Sequence, residues 1–164
     1  MRKAKSVTHG HVHKAKDLEL KYSKVRFDDY RLCYHDAGRN SQKRANTLLT
    51  KEPTTIMWMD SFTKDDVFVD IGANVGMYST YAGKVVGCRV FSFEPESLNY
   101  AELNKNIYLN GLHGNVRAFP CAMSDRVRLD ALYLSAFIPA YSHHDCGENR
   151  WEGPVTGIAE SHEG

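Results

Sequence analysis

Apolar and polar positions change period several times along the chain, and each change marks an element. Val67-Phe68-Val69-Asp70-Ile71 is a short β-branched and aromatic run, as expected of a strand buried on both faces. A turn bounded by Gly72 and Gly76 follows. Tyr78, Tyr81, Ala82 and Val85 then fall at i, i+3, i+4 and i+7, the stripe of an amphipathic helix, which Gly87 ends. Arg89-Val90-Phe91-Ser92-Phe93-Glu94 is the next strand. Pro95 and Ser97 open a second helix, with Tyr100, Leu103 and Ile107 on one face up to Asn110-Gly111. Asn115–Phe119 reads as a third strand closed by Pro120, and Leu129–Leu134 as one more. The β-α-β-α-β alternation predicts a parallel sheet with right-handed crossovers, an α/β Rossmann-like core over 63–138.

Before this core, Val25, Phe27, Tyr30, Leu32 and Tyr34 alternate with polar residues, and Asp28-Asp29 reads as the turn between two short strands. Gly38–Ser41 reads as a loop. Arg44 to Phe62 reads as two helical pieces, the first using Leu48 and Leu49, the second opening at Pro53 and carrying Ile56, Met57 and Met59. These segments form an N-terminal hairpin and helices over 24–62, which cover either the sheet or the acceptor pocket. The two ends lack such periodicity. Residues 1–23 are basic, with His9, His11 and His13 alternating among lysines. On a strand that spacing would give a metal-binding face, but the segment reads as a flexible solvated tail. Residues 139–164 are rich in Gly, His, Glu and Ser, the text of an irregular segment.

Composition narrows the function classes. The 164 residues are 42% hydrophobic and 25% charged, ordinary values for a single soluble domain. Lys+Arg 21 against Asp+Glu 20 leaves a formal charge of +1, so bulk charge implies no nucleic-acid partner. No apolar run approaches the roughly 20 residues of a membrane span. Cys33, Cys88, Cys121 and Cys146 are scattered with no CxxC pair, which supports neither a zinc site nor a disulfide framework and fits reduced thiols in the cytoplasm.

The candidate chemistry lies where the strand 67–71 becomes a helix. In open parallel sheets, ligands bind beyond the carboxyl ends of the strands. Glycines there let the backbone approach a ligand at positive φ, and Asn74 is the non-glycine type that best tolerates that conformation. The helix start behind the turn offers N–H groups to an anion. A dinucleotide fold prefers G-x-G-x-x-G, whereas this turn reads Gly72-Ala73-Asn74-Val75-Gly76 and is preceded by Asp70. A carboxylate there repels a pyrophosphate but suits a ligand with a cationic amine and sulfonium. S-adenosyl-L-methionine (SAM) carries both. Glu94, 24 residues after Asp70 at the tip of the second strand, stands where an acid receives ribose hydroxyls. The third strand delivers Cys121-Ala122-Met123, either to the adenine or simply to the core. Asp125 reads as a turn residue.

Asp70-Ile71-Gly72-Ala73-Asn74-Val75-Gly76, Phe93-Glu94-Pro95 and Ala122-Met123-Ser124-Asp125 together resemble the FkbM-type methyltransferases, over about residues 60–134. These are class I, SAM-dependent enzymes that mostly O-methylate sugars and other secondary metabolites. The resemblance implies that Asp70, Gly72, Ala73, Asn74 and Gly76 line the methionine end, that Glu94 holds the ribose, and that Cys121 and Ala122 lie in the adenine-contacting segment. The family continues into a later strand with an Asp-x-Glu-Gly-x-Glu signature that this sequence lacks, so the C-terminal half of the fold is expected to be incomplete.

The expected function is therefore SAM-dependent O-methylation of a hydroxyl on a sugar or other small metabolite, a small-molecule or glycan acceptor. The alternatives are an NAD(P)-dependent oxidoreductase on a related fold and a non-catalytic SAM-binding fragment. The general base is not legible. His143, His144 and Asp145 are adjacent in the irregular segment, where neighbours rarely converge on one site, and His113, Tyr141 and Trp151 read as loop or surface residues. No metal is expected. An unfinished sheet edge makes a homo-oligomer plausible.

Overall fold

The computed structural model describes residues 4–15, 18–142, 144–146 and 154–161. Its centre is the expected parallel sheet. Strands β4 (Val67–Ile71), β5 (Arg89–Phe93) and β6 (Val116–Phe119) lie side by side in that order, all parallel. Helix α3 (Met77–Tyr81) runs on into a π turn over Ala82–Val86, and α4 (Ser97–Asn110) makes the second crossover. The connection is a β-α-β-α-β half of a Rossmann-type fold, an α/β class. Glu96, rather than Ser97, caps α4: its carboxylate accepts from the Leu98 and Asn99 amides at 2.9 and 2.8 Å. Gly83 lets the π turn approach β6, because a Cβ there would stand 2.6 Å from Val116 Cγ2.

The N-terminal region departs from the expected tail. Strands β1 (Ser6–Ala15), β2 (Leu18–Phe27) and β3 (Tyr30–His35) form a second sheet, antiparallel in chain order. Asp28-Asp29 is indeed the β2–β3 turn. The segment expected to be solvated is held instead by pairing: Lys14 opposes Glu19 and Ser6 opposes Arg26. Its polar composition hid this because β1 is an edge strand whose described side chains are exposed or half-buried, with Val7 packed against the main core. The loop expected over Gly38–Ser41 is likewise the opening of α1 (Arg39–Thr47), with α2 (Pro53–Met59) following.

Phe27, Leu32 and Tyr34 of this sheet, Leu48 and Leu49 after α1, and Ile56 and Met59 of α2 join one continuous core with Tyr81, Val90, Leu103 and Val116. Phe27 stacks on Tyr81, with ring centroids 5.8 Å apart. The N-terminal elements thus cover the helices of the parallel unit, while the polar side of α1 faces the carboxyl end of β4.

Helix α4 supplies the outer partners of β3. Asn106 and Asn110, four residues apart, share a face. Asn110 Oδ1 accepts from the Cys33 amide at 2.9 Å, and its Nδ2 donates to the Cys33 carbonyl at 2.7 Å. Asn106 Oδ1 accepts from the His35 amide at 2.7 Å, and its Nδ2 donates to the Val75 carbonyl at 2.8 Å. Two asparagines therefore replace a missing strand neighbour and tie β3 to the turn after β4.

Beside them, the Glu102 carboxylate meets His35 Nδ1 at 2.5 Å and Lys105 Nζ at 2.7 Å. Burial alone would raise the Glu102 carboxyl, but these two bonds outweigh it and hold it below its ordinary value. A depressed acid stabilises the fold above its unfolded value, about 4.3, and loses that contribution as pH falls through the folded value. Glu102→Gln is therefore expected to cost about 1.5–3 kcal/mol at pH 7, a gap that persists down to the unfolded value and closes only as pH falls through the lower folded one. Urea unfolding from pH 7 into that acid range checks this, and a gap that stays constant to about pH 2 would contradict it.

Beyond β6, strands β7 (Cys121–Met123), β8 (Arg128–Leu134), β9 (His144–Cys146) and β10 (Val155–Ser161) form a third sheet in the order β7-β10-β8-β9. Residues 139–164, expected to be irregular, thus contain two strands. β10 alternates weakly, but it pairs β7 in parallel and β8 antiparallel. Its Ile158 joins Ala122, Leu132 and Leu134 in a small separate core. β4 itself is not buried on both faces: Val67, Val69 and Ile71 are 44%, 40% and 64% exposed, because α3 packs on the other side only. No helix among the described residues is long and apolar enough to cross a membrane.

Candidate functional site

The turn after β4 takes the conformation its residues allow. Gly72, Asn74 and Gly76 all have positive φ, +71°, +52° and +76°. Alternate left-handed residues fold the chain back on itself at the strand's carboxyl end. At Gly76 a Cβ would stand 2.2 Å from Leu103 Cδ1, so this glycine admits α4 against the turn. At Gly72 a Cβ would meet nothing within 4 Å and would point into open space.

Gly72 also lines a cavity of about 230 Å3, together with Asp70, Ala73 and Asn74 from the turn and Met77 and Tyr78 of α3. The structure therefore brings four of the expected residues together. Its opposite wall was not anticipated. Arg44 of α1, Lys51 and Glu52 of the α1–α2 connection, and Ser142 complete the lining. The sequence signal for Arg44 was its spacing with Asn40 and Thr47 on one face of α1, with Lys51 following beyond the helix end.

The charges inside are arranged in both signs. The Asp70 carboxylate accepts from Ser79 Oγ at 2.5 Å, and Ser79 is bonded in turn to Ser92 Oγ at 2.7 Å. Burial pushes the Asp70 carboxyl above its ordinary value, against the effect of the Ser79 bonds. Arg44 donates from Nε to the Ala140 carbonyl at 2.9 Å, and burial lowers its pKa while Tyr78, Glu94 and Glu52 oppose that shift from a distance. Asn74 Oδ1 is buried without a hydrogen-bond partner. A buried acceptor left unpaired costs about 1–3 kcal/mol, so it marks a place for a donor.

Other expected features are placed differently. Amides of the turn itself are used internally: Gly72 and Ala73 donate to the Phe93 carbonyl at 2.9 and 3.0 Å, and Gly76 to Ala73 at 2.8 Å; the helix-start amides of α3, where an anion was expected, take no part in these bonds. Glu94 stands at the tip of β5 but is only 4% exposed. Its carboxylate accepts from the Asn74 amide at 2.6 Å and the Glu96 amide at 2.9 Å, and burial pushes its pKa up. Cys121 and Ala122 pair with Ala159 and Glu160 in the third sheet and do not line this cavity.

Residues 140–142 close the site from above. Asn74 Nδ2 and Asn99 Nδ2 both donate to the Tyr141 carbonyl, at 2.6 and 3.1 Å, and Asn99 Oδ1 accepts from the Ala140 amide at 2.8 Å. Ala140 has φ +61°, a strained value for a residue with a Cβ, sustained by these bonds and by Arg44. Neither Asn99 nor this segment belonged to a recognisable motif. His144 lies in β9, where its neighbour Tyr141 approaches ring to ring at 6.5 Å. His143 and Trp151 lie outside the described residues, and nothing is described of the Asp145 side chain.

No family model matches the chain. Over 57 residues it is 37% identical to methyltransferase sdnD of Sordaria araneosa, a stretch covering 34% of this chain and 22% of that protein. The match thus spans about a fifth of the relative's length. Among solved structures, TYW2 of P. horikoshii in complex with MeSAdo is 15% identical, covering 62% of this chain and 36% of that one at a TM-score of 0.43. The Pyrococcus abyssi tRNA (uracil-54, C5)-methyltransferase in complex with S-adenosyl-L-homocysteine is 13% identical, covering 64% and 28% at a TM-score of 0.41. At these scores neither likeness bears on fold or activity.

Proposed function

We propose that this chain binds SAM in the cavity after β4 and serves methyl transfer to a hydroxyl of a sugar or other small metabolite. The observation that carries the reading is the turn itself. Its left-handed residues Gly72 and Asn74 line a cavity together with Asp70, and Asn74 Oδ1 is buried there without a hydrogen-bond partner. An ammonium group satisfies both, whereas a pyrophosphate would meet the carboxylate. The short stretch of identity to the Sordaria araneosa methyltransferase supports the same reading.

The lining suits a zwitterionic amino-acid end. Asp70, Glu52 and Asn74 Oδ1 suit the ammonium. Since the turn's amides are used internally, Arg44 and Lys51 take the carboxylate role. When bound, the sulfonium supplies an activated methyl group, so the protein's work is positioning and exclusion of water. Ala140–Ser142 provide the cover. Glu94 is assigned to the ribose, and reaching it requires that cover to move aside. Cys121 and Ala122 stay assigned to the adenine end by the family resemblance alone.

Isothermal titration with S-adenosylhomocysteine, the stable demethylated product, tests the reading. Saturable binding, with NADH giving no heat, is expected. Preference for NADH would establish the oxidoreductase alternative, and binding of neither ligand by a folded chain would defeat the cofactor assignment.

A further inference from the structure

Asn40, Lys43, Arg44 and Thr47 recur at the three- and four-residue spacing that places side chains on one helix face, and Lys51 follows beyond the end of α1. This wall borders two adjoining cavities of different charge. In the one against the glycine turn, Arg44 and Lys51 are balanced by Glu52 and Asp70. The other, also about 230 Å3, is lined by Lys43, Arg44 and Lys51 without a carboxylate, and closed by Ala140, Tyr141 and Ser142.

The cations there are poorly neutralised. Lys51 meets Glu52 at 3.6 Å, an exposed pair of little strength. Arg44 is half-buried and forms no ion pair with a described residue; its Nε is used by Ala140, which leaves the rest of the planar guanidinium for an anion. Lys43 has no ion pair among the described residues either. A partly desolvated guanidinium beside two ammonium groups is a favourable seat for anionic oxygens and an unfavourable one for a neutral ligand.

We infer that this outer cavity binds an anionic group, a carboxylate or a phosphate, carried by the methyl acceptor. The inference rests on the reading of the inner cavity as the cofactor site. The balanced cavity then matches the zwitterionic end of the cofactor, and the cationic one selects acidic acceptors over neutral ones. Lys43 is the specificity residue that separates the two, because it lines the outer cavity alone.

The test is titration of the full chain, free and saturated with S-adenosylhomocysteine, using glucose 6-phosphate, glucuronate and glucose. At least one charged sugar is expected to bind in both states, about tenfold or more tightly than glucose, and the stronger of the two identifies phosphate or carboxylate. Lys43→Gln should weaken that binding about tenfold and leave the affinity for S-adenosylhomocysteine unchanged. Equal binding of glucose, no binding of either charged sugar, or indifference to Lys43→Gln overturns the inference. So does loss of the anion on saturation with S-adenosylhomocysteine, which would assign all three cations to the cofactor. If S-adenosylhomocysteine does not bind at all, the cofactor reading falls separately, and the free-chain titrations still decide whether the cavity takes an anion.

Discussion

Asn110→Ala is expected to lower the unfolding free energy by about 2–5 kcal/mol. The substitution strands a buried amide and a buried carbonyl of Cys33, each costing about 1–3 kcal/mol once its partner is gone. The loss is larger than a surface position on the same helix can give. Asn104, whose Nδ2 reaches only the Tyr100 carbonyl one turn back, should cost less than about 0.5 kcal/mol when changed to Ala. Urea unfolding followed by circular dichroism compares the two. Equal effects would mean that the N-terminal sheet is not tied to α4 in the way described, and that the wall of the cavities formed by α1 is held by hydrophobic contact alone.

Gly76→Ala should cost a similar amount for a different reason. A left-handed residue with a Cβ costs about 1–2 kcal/mol, and overpacking a well-filled core costs about 1–3 kcal/mol. Both apply, since φ is +76° and the new Cβ would stand 2.2 Å from Cδ1 of the fully buried Leu103. The expected total is about 2–5 kcal/mol. Gly87 isolates the first contribution: its φ is +83° but a Cβ there meets nothing within 4 Å, so Gly87→Ala should cost only about 1–2 kcal/mol. If the two variants lose the same stability, α4 does not press on the turn, and the glycine spacing of the motif needs another explanation.

The parts of this molecule that were legible in the sequence are those governed by local rules. Val67–Ile71 and Arg89–Phe93 announced themselves by β-branched and aromatic runs, and Gly72, Asn74 and Gly76 by a conformation that few other residues adopt. Pro53 marked the start of α2 correctly. What escaped depended on distant partners. β1 looks like a basic tail because an edge strand needs no apolar face to pair with β2. β10 looks irregular because its neighbours, β7 and β8, lie more than 20 residues away. The exposure of Val67, Val69 and Ile71 was equally hidden, since a strand cannot report whether its second face is covered.

The site shows the same division. Asp70, Gly72, Ala73 and Asn74 formed one motif and line one cavity. Arg44, Lys51 and Ser142, from remote segments, complete it only in three dimensions. The sequence also placed free amides in the turn. It could not show that the Phe93 carbonyl and the Glu94 carboxylate would consume them. On the proposed reading Arg44 and Lys51 of the opposite wall then take part in holding the anion, which makes that wall open to genetic test.

The most direct measurement is titration of S-adenosylhomocysteine into the wild-type chain, Gly72→Ala and Gly72→Val. The added Cβ enters open space, so the cost in stability is left-handed strain, about 1–2 kcal/mol for Ala and more for the β-branched Val; circular dichroism checks that each variant is folded. Saturable binding to wild type, weakened in Gly72→Ala and abolished in Gly72→Val, is the predicted result. Undiminished affinity in a folded Gly72→Val chain would contradict the account, because the cofactor would then lie somewhere other than the cavity after β4.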